Sequence, residues 1–241
     1  MISVCIATYN GEEYIKQQLE SILVQLSEDD EVIISDDGST DATLDIINSL
    51  NDKRIEVINH TSIKTKFKID NITHNFENAL NNSHGDYIFL SDQDDVWLPG
   101  KVEMVMNKLR DYYLVVTDCD VVDDKLNIIN KSYFDLRPFS NSIFHNIYKS
   151  SFLGSCMAFR RDVLIRAIPF PKYGVAHDLW LGLVALKFFD VKVLDIPFML
   201  YRRHENTVTD SGKTNTNSLF YKLSYRAYIV SELIKRLFVR Y

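Results

Sequence analysis

Asp92, Asp94 and Asp95 follow at once on the apolar run Tyr87, Ile88, Phe89 and Leu90, within the stretch DYIFLSDQDDVWLP that spans residues 86–99. The run has the length of a buried strand and is far too short to span a membrane. Three carboxylates crowded at its end repel one another unless a cation or a donor-rich ligand sits among them. Oxygen-only ligands of this kind suit Mg²⁺ or Mn²⁺, typically shared with phosphate oxygens. The same residues also read as a solvated acidic turn capping the helix that begins near Pro99.

The elements that would position this cluster can be traced along the chain. Residues 2–8 (ISVCIAT) form a strand-like run ending in Tyr9-Asn10-Gly11, and Tyr14, Ile15, Leu19, Ile22 and Leu23 then recur at helical spacing. Residues 31–35 (EVIIS) form a second strand, ending in Asp36-Asp37-Gly38-Ser39-Thr40-Asp41 before the helical pattern Leu44, Ile47 and Leu50. Three strand ends therefore carry polar or acidic clusters. In an open α/β sheet the ligand crevice lies beyond the carboxyl ends of the strands, so the three can converge despite their separation. Asp36 equally suits loop support, and Ser39, Thr40 and Asp41 are common helix-capping residues.

Between these strands and the acidic one, residues 64–80 carry Lys64, Lys66 and Lys68 ahead of a helix marked by Phe76, Ala79 and Leu80. The lysines read as solvated, with Asn71 or Thr73 as possible caps. In the second half, residues 151–160 (SFLGSCMAFR) read as a strand interrupted at Gly154-Ser155, where a ligand or another backbone can approach closely. His177-Asp178 opens an apolar helix containing Leu179, Trp180, Leu183, Val184 and Leu186. Asp178 there is either a functional acid or simply one favoured by the helix dipole.

Composition bounds the rest. With 241 residues, 46% of them hydrophobic, the chain can bury one sizeable core, and no linker, repeat or low-complexity tract divides it. No run approaches the roughly 20 apolar residues of a spanning helix, and Met1 leads directly into the first strand, which points to a cytoplasmic protein. Cys5, Cys119 and Cys156 are few and widely spaced, as expected of free thiols in a reducing compartment. The net charge is −6, yet from Tyr201 onward eight Lys and Arg stand against three acids. Nucleic acid is thereby a poor partner for the acidic body. In the tail, Leu219, Leu223, Val230, Leu233, Leu237 and Tyr241 recur beside Lys222, Arg226, Lys235, Arg236 and Arg240. Such a helix can lie on an anionic membrane surface or pack on protein.

Taken together, Thr8-Tyr9-Asn10, Asp36-Asp37-Gly38-Ser39-Thr40-Asp41, Asp92-Gln93-Asp94-Asp95, His177-Asp178 and Tyr201-Arg202-Arg203-His204 resemble the family 2 glycosyltransferases. The wording SDQDDVWLP is similar to bacterial members that build surface polysaccharides such as O-antigen or capsule. The resemblance implies an α/β, GT-A fold: a Rossmann-like mixed central sheet flanked by helices, in one domain over residues 1–217. Residues 1–110 would form the nucleotide-sugar half, 111–217 the acceptor half, and 218–241 a basic amphipathic C-terminal helix. It also implies that Thr8, Tyr9, Asn10 and Glu12 line the nucleotide pocket, with Asn75 as a further contact near the donor. Asp37 would accept from the N3–H of uracil or thymine, Asp92 would meet the ribose, and Asp94 would ligate Mn²⁺ or Mg²⁺ on the diphosphate. Asp95 reads as a supporting or capping acid.

On the acceptor side the resemblance makes Asp178 the general base of an inverting transfer. The family commonly has Glu immediately before this acid, and His177 departs from that pattern. Arg202 or Arg203, both placed at the donor, would assist the departing diphosphate together with His204, itself a metal ligand, phosphate donor or ordinary surface histidine. Residues 206–217, rich in Thr, Ser, Asn and Gly, suit a flap over the donor. The implied partners are a nucleotide-sugar donor, UDP-hexose first and dTDP-rhamnose second, and a lipid-linked glycan acceptor at the cytoplasmic face of the inner membrane. Competing readings are a non-catalytic nucleotide-sugar-binding module, a sugar nucleotidyltransferase, for which a glycine-rich N-terminal phosphate loop is missing, and a phosphoacceptor receiver domain, which the length and late motifs do not suit.

Overall fold

The apolar runs of the first half become a parallel sheet with polar strand ends. The computed structural model describes residues 1–61, 68–172, 174–203 and 219–238. The strands are β1 (Ile2–Thr8), β2 (Glu31–Asp36), β3 (Ile55–Asn59), β4 (Tyr87–Ser91), β5 (Val96–Trp97), β6 (Leu114–Val122), β7 (Ile128–Asn130), β8 (Met157–Arg160) and β9 (Val191–Arg202). The helices are α1 (Ile15–Leu23), α2 (Thr43–Ser49), α3 (Lys68–Asn81), α4 (Lys101–Leu109), α5 (Tyr133–Leu136), α6 (Ile143–Tyr148), α7 (Arg161–Ala167), α8 (His177–Phe188) and α9 (Leu219–Phe238). They flank one mixed sheet of order β3-β2-β1-β4-β8-β6-β9-β5, with β7 paired to β6.

Three registers position the chemistry. First, β1, β2 and β3 run parallel with Thr8 opposite Asp36 and Asp36 opposite Asn59, so the polar strand ends form one edge. Second, β8 runs antiparallel to β4, with Ile88 opposite Phe159 and Phe89 opposite Ala158, so the residues that precede β8 lie beside those that follow β4. Third, β5 pairs antiparallel with β9 through Val96–Leu200 and Trp97–Met199. The acidic residues 92–95 are therefore held at both ends.

The core lies between the sheet and its helices. Ile15, Leu19 and Ile22 bury the inner stripe of α1, and β1 and β4 are buried on both faces, as expected of central strands covered by helices. Phe89 and Trp180 are among the largest side chains wholly removed from solvent. Truncating either to Ala should cost about 3–5 kcal/mol. All three cysteines are buried free thiols.

Helix α9 packs on its own domain. Ile229 and Leu233 are buried, and Arg236 donates to the carbonyls of Ile168 (2.8 Å) and Pro169 while its guanidinium lies 5.5 Å from the Trp180 ring. Of the tail cations expected to face an anionic surface, Arg236 is thus turned inward; Arg240 and Tyr241 lie outside the described residues. No described helix is long and apolar enough to cross a membrane.

Candidate active site

The loops after β1 and β2 are tied to each other before any ligand arrives. Asn10, in a left-handed conformation (φ 47°), donates its N–H to Ser39 Oγ (2.9 Å) and accepts at Oδ1 from the Thr40 N–H (2.8 Å). Glu12 accepts from the Ala42 N–H (2.9 Å), and its own N–H reaches Asp41 Oδ2 (3.1 Å). Asp36 accepts from the N–H groups of Gly38 (3.0 Å) and Ser39 (2.9 Å), supporting its loop as expected. Asp41 accepts from the Thr43 N–H (3.0 Å) at the start of α2. The neighbouring Asp37 is held differently: His60, just past β3, places Nδ1 2.8 Å from Asp37 Oδ1 and fixes the carboxylate's orientation.

Gln93 carries the link from these loops to the acidic one. Its Oε1 accepts from Thr8 Oγ1 (2.6 Å) and the Tyr9 N–H (2.9 Å), and its Nε2 donates to the Tyr9 carbonyl (3.2 Å). Gly11 permits this approach, since a Cβ there would lie 2.6 Å from Gln93 Oε1. Tyr9 itself presents an exposed ring beside the crevice. Asn75, buried on α3, donates to the Thr8 carbonyl (3.3 Å) and leaves Oδ1 without a hydrogen-bond partner. From α1, Gln18 donates to Ser91 Oγ and to the Asp92 carbonyl (3.2 Å).

Arg202, only 2% exposed, clamps the acidic loop from β9. Its Nε donates to the Asp94 carbonyl (2.7 Å), Nη1 to the Asp124 carbonyl (2.5 Å) and Nη2 to Gln17 Oε1 (2.8 Å), and the guanidinium lies 4.5 Å from the Tyr14 ring. Its backbone N–H also reaches Asp95 Oδ1 (3.0 Å). Each of its three guanidinium nitrogens donates to a protein oxygen, so Arg202 braces the loop that carries Asp94 and Asp95. Arg203 donates its backbone N–H to the Val122 carbonyl (2.9 Å).

The acceptor side meets the acidic loop through Ser155. As the β4–β8 register requires, Ser155 Oγ lies 3.0 Å from the Asp92 N–H and donates to Asp92 Oδ2 (2.6 Å). Gly154, one residue earlier, lies against the start of α8: a Cβ there would fall 2.7 Å from His177 Nε2 and 3.7 Å from the Asp178 Cβ. Asp178 accepts from the Leu179 N–H (2.6 Å) in the first turn of α8. The His177 ring stacks on Phe76 at 3.9 Å and is 6% exposed, with neither ring nitrogen hydrogen-bonded.

Charges within this cluster are strongly perturbed. Burial, reinforced by the negative charge of Asp94, pushes Asp92 up to about 7, against the opposing Ser155 hydroxyl; the Asp178 charge raises it further. Burial likewise raises Asp178 to about 6. Asp95, fully buried with Oδ2 unpaired, is held well above the usual carboxylate range by burial and then by Asp94. Burial lowers His177 to about 3, so its imidazole is neutral. Behind the loop, burial lowers Lys101 to about 8; its Nζ donates to the Ser155 carbonyl (2.7 Å) and lies 4.3 Å from the Trp97 ring. Among the described residues no group of three or more His, Cys, Asp and Glu forms a ready metal cage. The donor set is nonetheless oxygen-only, with the Asp94 charge adding to the burial that raises Asp92 and Asp95. It fits a hard divalent cation held by one or two carboxylates plus ligand phosphates.

This arrangement of a parallel nucleotide-type edge joined to an antiparallel half has sequence relatives. The model of glycosyl transferase family 2 matches residues 3–167. The chain belongs to that family. A dTDP-rhamnosyl transferase, RfbG, of Shigella flexneri is 29% identical over 83% of this chain and 72% of its own length. A GalNAc(5)-diNAcBac-PP-undecaprenol beta-1,3-glucosyltransferase of Campylobacter jejuni is 24% identical over 95% of this chain and 71% of its own. The Staphylococcus aureus TarS 1–349 structure in complex with UDP-GlcNAc superposes with TM-score 0.68 over 98% of this chain and 72% of that one, at 20% identity. Glucosyl-3-phosphoglycerate synthase of Mycobacterium tuberculosis, solved with Mn²⁺, UDP and glucosyl-3-phosphoglycerate, gives 0.58 over 100% and 81%, at 16% identity. The fold is the expected GT-A type.

Of the residues singled out for this glycosyltransferase, Thr8, Tyr9, Asn10, Glu12, Asp37, Asn75, Asp92 and Asp94 gather along the polar strand ends, and Asp178 joins them through Gly154 and Ser155. His204, Lys64, Lys66 and the segment 206–217 lie outside the described residues. Sequence reading did not assign Gln18, His60, Gln93, Lys101 or Ser155. Only Gln93 and Ser155 carried a signal, being polar residues inside motifs already marked.

Proposed function

We propose that the chain is an inverting, metal-dependent glycosyltransferase that moves a sugar from a nucleotide-sugar donor to a hydroxyl of a lipid-linked glycan in bacterial polysaccharide assembly, at the cytoplasmic face of the inner membrane. The observation that carries it is the junction at Ser155, whose hydroxyl bonds Asp92 on the nucleotide side while its neighbour Gly154 borders Asp178. A donor's anomeric carbon bound at that junction has a carboxylate on each side.

In this reading Tyr9 stacks on the base, and Asp37, steadied by His60, accepts from the base N3–H. Thr8, Asn10, Glu12 and Asn75 shape the nucleotide pocket, and Asp92 meets the ribose. Asp94 holds Mn²⁺ or Mg²⁺, which when bound neutralises charge on the diphosphate. Arg203 and His204 serve the same diphosphate, with Arg202 holding the loop behind. Asp178 takes the proton from the acceptor hydroxyl as that oxygen bonds to the anomeric carbon, and the bond from that carbon to the diphosphate oxygen breaks on the opposite face. Inversion follows from the single displacement. With a value near 6, Asp178 is ionised at neutral pH yet basic enough to assist.

UDP-hexose is the first donor proposed and dTDP-rhamnose the second, the latter in keeping with the Shigella relative. The lipid-linked acceptor accords with the Campylobacter relative, and Mn²⁺ with the mycobacterial complex. A panel of nucleotide sugars, scored for Mn²⁺-dependent hydrolysis and for thermal stabilisation, tests the reading. One donor should both stabilise the protein and be hydrolysed; a panel with no response in either measurement would sink it.

A further inference from the structure

The inner stripe of α9, Ile229, Leu233 and Arg236, accounts for the docking of that helix, yet a second stripe beside it is also apolar. Val230, Ile234, Leu237 and Phe238 follow one another at helical spacing and are all exposed, Phe238 to 79%. Sharing a groove with Val230 and Ile234, α6 presents Phe144, 83% exposed, and Tyr148, 72% exposed. Between the two helices runs a groove of about 560 Å³ lined by Phe144, Ile147, Tyr148, Ala227, Val230 and Ile234. Isolated exposed apolar residues are ordinary, but a contiguous set around a groove marks an interaction surface.

We infer that this α6–α9 surface seats on an anionic lipid bilayer. The charges around it select that partner. Arg226 lines the groove with its guanidinium 4.5 Å from the Tyr148 ring, and Lys149 and Lys235 are exposed beside it. Among the described residues of α6 and α9 the one acid, Glu232, is paired with Lys235 at 2.6 Å. The chain as a whole is net −6, so an anionic surface repels most of the molecule and attracts it at this face, which also fixes orientation. A second copy would present the same cationic face, whereas an anionic bilayer complements it. Phe144 and Phe238 suit the acyl boundary, while the Tyr148 ring and the cations suit the headgroup level.

The surface is also joined to the site. Asn146 on α6 accepts at Oδ1 from the N–H (2.9 Å) and Oγ (2.8 Å) of Ser151, and three residues later Gly154 borders Asp178. A bilayer under α6 and α9 therefore lies on the acceptor side of the crevice. This rests on the proposed lipid-linked acceptor and adds which face meets the membrane.

The test is cosedimentation of the full chain with vesicles of phosphatidylglycerol and phosphatidylcholine, against phosphatidylcholine alone, for wild type, Phe144→Glu and Ile234→Glu. Wild type should pellet with the anionic vesicles and less so as salt rises, and each variant should bind about tenfold more weakly at an unchanged melting temperature. Unchanged binding by both folded variants, no binding by wild type, or a wild-type dimer that the variants dissolve would each overturn the inference. Donor hydrolysis is measured alongside: its absence with vesicle binding intact leaves the surface standing and defeats only the proposed reaction.

Discussion

Asp178→Asn separates the base assignment from a merely structural one, because it should raise stability while removing activity. Burial lifts the Asp178 carboxyl from 3.8 to about 6, so ionising it in the folded protein is unfavourable. At about 1.4 kcal/mol per pKa unit, the cost at neutral pH is about 3 kcal/mol as an upper bound. For a carboxyl raised on folding, this stability is fully present below the unfolded value near 4 and is lost as pH rises through about 6. Asparagine keeps the oxygen that accepts from the Leu179 N–H and never ionises. The variant should therefore melt about 6–12 °C above wild type at pH 8, at about 2–4 °C per kcal/mol for a chain of this size, and converge with it near pH 4. Transfer should fall by roughly 10²–10⁴-fold with donor affinity retained. Scanning calorimetry across pH, donor titration and a product assay supply the three readings. A variant that transfers within threefold of wild type, or whose melting gap does not change with pH, refutes the reasoning.

Asp94→Ala should abolish metal-dependent transfer and weaken diphosphate binding at an unchanged fold; full activity in this variant, or in wild type under excess chelator, contradicts the metal assignment. Gln93→Leu removes three hydrogen bonds to Thr8 and Tyr9 and should weaken UDP binding about tenfold or more in calorimetric titration, with little change in metal affinity. Gly154→Ala drives a methyl into the His177 ring beside Asp178 and should lower kcat while leaving donor affinity near wild type; a loss confined to donor affinity would place Gly154 elsewhere in the mechanism.

Periodicity and strand-end chemistry made the first half legible. The runs at residues 2–8, 31–35 and 87–90 are largely apolar because their strands are buried in the centre of the sheet, and the polar clusters that follow them mark the crevice. What stayed hidden was long-range. β9 carries Asp195 and Pro197 inside a strand pattern, and the structure accommodates them where its pairing with β6 shifts register near Asp118. β5 is two residues long, too short for any pattern to reveal. Gln93 meets Thr8 across 85 residues and Ser155 meets Asp92 across 63, links that no local spacing encodes. Arg202 meets the Asp94 carbonyl across 108 residues, a link equally absent from local spacing. In the tail, the apolar series read from spacing mixed two stripes: Leu233 faces the body, whereas Val230 and Leu237 face away from it.

The cross-bonded loops at the nucleotide edge have a calorimetric consequence. Asn10 with Thr40, Glu12 with Ala42, Asp37 with His60 and Gln93 with Tyr9 lose their conformational freedom when the chain folds, not when the donor arrives. Little ordering entropy then remains to be lost on binding, and the heat-capacity change should reflect only the apolar area that the base and sugar cover. Donor affinity should accordingly decline gently with warming and then collapse over the same few degrees in which the protein melts, because the bonds that shape the pocket are bonds that hold the fold.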